Sequence, residues 1–105
     1  MRGDIYRLTA PRNARGHEQL GLRYAVVVQS DDLLLSTWLV APTSTGRAAA
    51  SFRPEVVIDG VRARVLVEQT TALDHELRLG EFVGRLSADE LAELEEALRL
   101  VFALD

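Results

Sequence analysis

Tyr24-Ala25-Val26-Val27-Val28-Gln29 places three consecutive valines inside an otherwise apolar run. β-Branched side chains are stiff and pack well on a pleated surface, and a run without polar alternation must be covered on both faces. These residues therefore predict a buried strand at the centre of a sheet. Working outward, Ser30-Asp31-Asp32 supplies a turn, and Leu33 to Ala41 is expected as the next strand and hairpin partner. Upstream, Ile5 to Leu8 alternates as a short strand. Between the two, Ala10 to Leu22 carries Pro11, Asn13, Gly16 and Gly21 among charges and is expected to be a long loop. Loops of that length in a compact domain usually carry function or move.

Downstream, Thr43 to Ser51 is small and polar, a second exposed loop. Glu55 to Ile58 and Arg64 to Val67 are expected strands on either side of Asp59-Gly60, a pair that favours a tight hairpin because Gly accepts positive φ. Thr70 to Leu73 and Phe82 to Leu86 are expected as shorter strands. Ser87-Ala88-Asp89-Glu90 is a capping box, with Ser87 as N-cap and Glu90 three residues on. The helix it opens should run from Ala88 to about Ala103. Leu91, Leu94, Leu98 and Val101 share one face, while Glu93, Glu96 and Arg99 face away. Five to seven short strands and one C-terminal helix describe a mainly β chain, a small and strongly bent antiparallel sheet or barrel.

The chain has 105 residues, enough for a single domain (1–105) with one core. It is 48% hydrophobic and 27% charged, ordinary for a globular protein. Without cysteine there is no disulfide, thiol chemistry or Cys-based metal site, which fits a reducing cytosol. No apolar run approaches a membrane span and the start lacks a signal peptide's apolar stretch, so the expected location is the cytoplasm. The net charge of −4 is unevenly spread. Residues 1 to 64 hold nine Arg against six acids, a balance of +3, and residues 65 to 105 hold three Arg against ten, a balance of −7. No lysine is present. Arg carries a planar, permanently charged fork suited to phosphate, so an acidic protein can still present a basic face.

Three short signatures fill the first 45 residues: Met1-Arg2-Gly3-Asp4-Ile5-Tyr6, then Gly16-His17-Glu18-Gln19-Leu20-Gly21-Leu22-Arg23, then Val40-Ala41-Pro42-Thr43-Ser44-Thr45. In this order and spacing they resemble the MazF/PemK family of toxins, sequence-selective endoribonucleases of toxin–antitoxin pairs. The resemblance covers nearly the whole chain and thins after about residue 70. It implies an SH3-like small barrel, a homodimer, single-stranded RNA as substrate, a MazE-like antitoxin as partner, and no cofactor.

The resemblance also assigns roles. An isolated Arg at a strand end is ordinarily a solvated charge; within Glu18-Gln19-Leu20-Gly21-Leu22-Arg23 it matches the family's catalytic Arg, although Tyr24 follows where Pro is usual. Its guanidinium would bind the scissile phosphate and stabilise charge in the transition state. A strand ending in Pro and hydroxyls is ordinarily a turn; here the hydroxyl two residues after Pro42 matches the family's active hydroxyl, making Ser44 the candidate, with Thr43 or Thr45 as substitutes in another register. His17 can exchange protons near neutral pH, and in the Kid branch a His in the same context is an assisting residue. Glu18 would orient Arg23 or close the loop. Glu68 matches that branch's acid before Gln, its general base, with one extra methylene and with Leu66 where the branch has Arg. Glu18, Gln19, Thr43, Thr45, Arg47 and Gln69 would complete the RNA-binding surface.

The implied chemistry is attack of the RNA 2′-hydroxyl on the adjacent phosphorus. It needs no metal, since the nucleophile belongs to the substrate, and the sequence has no dense Asp/Glu/His cluster. Two other functions stay open at this point: a non-catalytic toxin that poisons a large enzyme such as gyrase, as the similarly folded CcdB does, and an RNA-binding module with degraded catalysis. The antitoxin would be an acidic chain displacing or ordering the loops Arg12 to Leu22 and Thr43 to Arg53.

Overall fold

The computed structural model of the chain describes residues 1–9 and 23–105; the loop expected over Ala10 to Leu22 lies outside them. Among the described residues seven strands form one curled antiparallel sheet: β1 (Asp4–Leu8), β2 (Tyr24–Val27), β3 (Trp38–Ser44), β4 (Glu55–Ile58), β5 (Val61–Val65), β6 (Thr71–Leu73) and β7 (Leu79–Arg85). Their order is β4-β5-β3-β2-β1-β7. The first half of β3 pairs with β6 through Trp38↔Leu73, and its end pairs with β5 through Thr43↔Val65 and Ser44↔Arg64. Between β5 and β6 the chain makes a 3-10 turn at Val67–Gln69. A four-residue helix α1 (His75–Arg78) precedes β7, and α2 (Ala88–Phe102) ends the fold. The expected mainly β chain, a strongly bent antiparallel sheet with a C-terminal helix, is what forms, and the sheet curls into a half-barrel.

β2 explains the architecture. Its alternate side chains serve two different cores, as a continuously apolar strand requires. Val26 and Val28 join Ile5, Ala41, Val56, Ile58, Val65 and Val67 on one face, and α2 covers that face with Leu94 and Ala97. Ala25 and Val27 join Val40 and Leu73 on the other, beneath Tyr6, Leu8, Trp38 and Leu79. Among the described residues no long helix covers this second face; aromatic rings do, with Leu8, Leu79 and His75 of α1 beside them. Tyr6 meets Trp38 and Phe82 edge-on at centroid distances of 5.6 and 5.5 Å, and Trp38 stacks on His75 at 4.2 Å.

The helix follows the capping box. Ser87 Oγ accepts from the Glu90 N–H, and Glu90 Oε1 accepts from the Ser87 N–H. Leu91, Leu98 and Val101 pack on the core beside Leu94, and Ala103 ends the helix at φ 55°.

Several boundaries depart from the sequence reading: the strand expected over Tyr24 to Gln29 ends at Val27, and the one expected to reach Val67 ends at Val65, since Val67 opens the 3-10 turn. The strand expected over Leu33 to Ala41 starts at Trp38 and extends to Ser44. Buried Gln29 holds the intervening loop: its Nε2 donates to Leu33 O and its Oε1 accepts from Leu39 N, so three leucines remain outside and Leu34 is 99% exposed. Thr43 and Ser44, expected in a loop, are strand residues. β5 begins at Val61, not Arg64, because Asp59 (φ 52°) and Gly60 (φ 79°) form a two-residue turn that pairs Ile58 with Val61 at once. Finally, α1 arises unannounced by periodicity, since the Asp74 side chain caps four residues by accepting from Glu76 N and Leu77 N, and β7 then spans Leu79–Arg85 in place of Phe82 to Leu86.

Candidate active site

Antiparallel pairing of β2 with β3 (Ala25↔Pro42, Val26↔Ala41, Val27↔Val40) sets the entrance of β2 beside the exit of β3. Arg23 and Ser44, distant in sequence, therefore become neighbours. The β4–β5 hairpin stands along the same end of β3. Together these elements enclose an open pocket of about 500 Å³. One wall is polar, from Arg23, Thr43, Ser44, Thr45 and Arg47; the other comes from Ile58, Asp59, Val61 and Ala63, with Tyr24 between.

The half-buried Arg23 donates from Nη2 to Thr43 O at 3.3 Å. Among the described residues that bond uses one of its five N–H donors and leaves the rest of the fork for an anion. Ser44 Oγ accepts from the Gly46 N–H at 3.2 Å, which fixes the side chain while its own proton stays available to donate. Thr43 differs: it is 4% exposed and its Oγ1 donates to Tyr24 O at 3.2 Å. Its hydroxyl holds β2 to β3, so the hydroxyls left for a ligand are those of Ser44 and exposed Thr45. Arg47 is exposed and makes no ion pair with any other described residue.

Glu68 and Gln69 do not line this pocket. They follow buried Leu66 in the 3-10 turn, which aims them at the surface. Glu68 Oε2 accepts from Arg53 Nε and Nη2 at 2.9 and 2.8 Å. Burial pushes the Glu68 carboxyl up, but the Arg53 bond, its own backbone N–H and the charges of Arg53 and Arg47 outweigh that and hold it below the usual carboxylate range. A carboxylate so held is a weak proton acceptor. His17, Glu18 and Gln19 lie outside the described residues. Among the described residues no three His, Asp or Glu side chains gather as a metal-binding group.

The pocket also contains what the sequence did not single out. Asp59 presents itself in sequence as turn chemistry, and nothing local says which strand its hairpin will lean against. The apolar alternation Val61, Ala63, Val65, set between Arg62 and Arg64, was the available signal that one hairpin face turns inward.

A family model described as PemK-like, MazF-like toxin of type II toxin–antitoxin system matches residues 1–102. A candidate toxin of Mycobacterium tuberculosis is 39% identical over 98 residues, covering 93% of this chain and 92% of the relative. Among solved structures, the Mycobacterium tuberculosis toxin MazF-mt6 superposes with a TM-score of 0.76 at 20% identity, covering 97% of this chain and 98% of that one. MazF from Deinococcus radiodurans gives 0.76 at 24% identity over 98% and 96%. A mycobacterial endoribonuclease in complex with its cognate antitoxin gives 0.74 at 16% identity over 100% and 96%. At these identities the structural likenesses speak for the fold.

Proposed function

The chain belongs to the PemK-like, MazF-like toxins of type II toxin–antitoxin systems, and on that premise we propose that it is a sequence-selective endoribonuclease that cleaves single-stranded RNA without a metal. The observation that carries this reading is the convergence of Arg23, Ser44, Thr45 and Arg47 on one open pocket. Two guanidiniums that form no ion pair among the described residues, beside donor hydroxyls, are what a phosphodiester in a transition state requires.

In the proposed reaction the RNA 2′-oxygen bonds to the adjacent phosphorus as the bond to the 5′-oxygen breaks. The 2′-hydroxyl proton passes to a base and the departing 5′-oxygen takes up a proton. The ends are a 2′,3′-cyclic phosphate and a 5′-hydroxyl, and DNA, lacking the nucleophile, survives. Arg23 binds the non-bridging oxygens, and Ser44 donates to one of them. Thr45 and Arg47 hold the neighbouring backbone. His17 exchanges the proton, with Glu18 and Gln19 beside it. Glu68, held ionised by Arg53, positions the arginine rim in preference to acting as base, and exposed Gln69 is available to the RNA strand.

The toxin works in the cytoplasm as a homodimer, and a MazE-like antitoxin restrains it. Supporting this, MazF from Deinococcus radiodurans occurs as a MazE–MazF complex, and no helix among the described residues is long and apolar enough to cross a membrane. The antitoxin's acidic segment would compete with RNA for the Arg23 and Arg47 pocket.

The test is incubation with labelled single-stranded RNA and EDTA, with DNA of the same sequence as control, followed by mapping of the ends. Cyclic-phosphate ends at discrete sites support the reading. RNA binding without cleavage would leave a binding module, and no RNA binding at all would favour a toxin that acts by binding a large enzyme.

A further inference from the structure

The pocket's second wall has no part in the cleavage chemistry. Resting on the ribonuclease reading, we propose that the β4–β5 hairpin is a base-reading subsite, in which the Asp59 carboxylate accepts from the Watson–Crick edge of a guanine next to the cleaved phosphate. Asp59 is the one carboxylate among the described residues that line the pocket. It makes no ion pair or side-chain hydrogen bond with any other described residue, although Arg23 and Arg47 line the same space. A free carboxylate beside a polyanion repels phosphate, so its gain on RNA binding must come from N–H donors on a base.

The remaining wall suits a base. Val61 is 55% exposed within a strand whose next inward residue, Ala63, is buried, so an apolar surface is left open beside the carboxylate. A volume of about 500 Å³ lies within the range of sites that take a nucleotide-sized ligand. The mount is also rigid. Asp59 and Gly60 both hold positive φ in a two-residue turn, Ile58 pairs with Val61, and Val57 N donates to Glu90 Oε2 of α2 at 2.8 Å. A carboxylate on a fixed hairpin selects by position.

The edge chemistry selects guanine. Its N1–H and N2–H2 present two adjacent donors, which match the two oxygens of a carboxylate. Adenine and cytosine each set one amino group beside a ring-nitrogen acceptor, and uracil flanks its single N–H with two carbonyls. Those acceptors would face carboxylate lone pairs, an unpaired contact that discriminates strongly in a partly dry site.

The experiment cleaves a randomised single-stranded RNA pool and sequences the 5′-hydroxyl ends. The wild-type chain should enrich guanine at one position flanking the break. Asp59→Asn, which tolerates the left-handed turn as readily as Asp, should lower kcat/KM on the guanine substrate by about 10- to 100-fold relative to its adenine counterpart. Replacing that guanine with inosine, which lacks N2–H2, should slow the wild type and have little effect on Asp59→Asn. Thermal melts of both proteins report the fold. An equal loss on all substrates would assign Asp59 to proton transfer and overturn the subsite, as would an unchanged preference or a wild-type site without guanine. A wild type that binds the pool but cleaves nothing overturns the ribonuclease reading itself.

Discussion

The Arg23 guanidinium donates to the Thr43 main-chain oxygen at 3.3 Å, tying the entrance of β2 to the exit of β3. This single bond aims the side chain into the pocket while touching no core residue. Arg23→Ala is therefore expected to lower kcat/KM by on the order of 100- to 1,000-fold, with thermal stability almost unchanged. Arg23→Lys should recover little of it, because an ammonium cannot bond the Thr43 oxygen and a phosphate in one planar fork. Full activity in Arg23→Ala would remove Arg23 from the mechanism.

Three successive hydroxyls, Thr43, Ser44 and Thr45, can be told apart by what each variant loses. Thr43→Val keeps the shape but abandons the bond to Tyr24 O, so it should cost about 1 kcal/mol of stability in urea unfolding and leave much of the rate. Ser44→Ala should do the reverse, lowering kcat by roughly 100-fold or less in a protein that melts normally. Thr45→Ala should be the mildest in both assays. If Thr45→Ala were slower than Ser44→Ala, the active hydroxyl would be Thr45.

How much of this was readable from residues alone depended on whether the signal was local. The capping box at Ser87 and Glu90 was, because both bonds close within one helical turn. The buried strand at Tyr24 to Gln29 was too, since its apolar run leaves no solvent face. The loop of Leu33 to Leu35 was not: it depends on Gln29 bonding Leu39 N, ten residues away. The placement of Asp59 was not either, because it follows from β5 joining β3 at Ser44↔Arg64. Arg23 and Ser44 were named as candidates through their motif; their adjacency comes from strand pairing. In the case of Glu68, spacing in sequence gave no warning that Arg53 would bind it.

The Arg53–Glu68 pair has a pH signature of definite sign. The folded Glu68 pKa lies below its ordinary 4.5, so the stabilisation is present above that value and is lost as pH falls through the folded pKa. The pair is at the surface, so its contribution should be at most about 1 kcal/mol. Glu68→Gln should be slightly less stable than wild type at neutral pH, and the difference should vanish under acid. Its kcat/KM profile should keep its acid limb, because the proposed proton exchange belongs to His17. Loss of that limb in Glu68→Gln would restore Glu68 as the base.

The second sheet face predicts the oligomer. Among the described residues, Ala25, Val27, Val40 and Leu73 are buried there beneath Tyr6, Leu8, Trp38 and Leu79, and Phe82 at the edge is 50% exposed. The opposite face has α2 as its cover. A partly exposed aromatic surface on a small chain is costly in water, and a second copy related by a two-fold axis offers it an identical surface. Sedimentation at micromolar concentration should therefore find a dimer. Phe82→Glu sets a charge into that face and should yield a folded monomer, because the Phe82 ring contacts Tyr6 at the rim and supports no buried core position. Leu100→Glu, on the exposed side of α2, serves as the contrast and should remain dimeric. If Leu100→Glu dissociates the protein while Phe82→Glu does not, the pairing surface is the helix; a wild-type monomer would mean that neither face pairs.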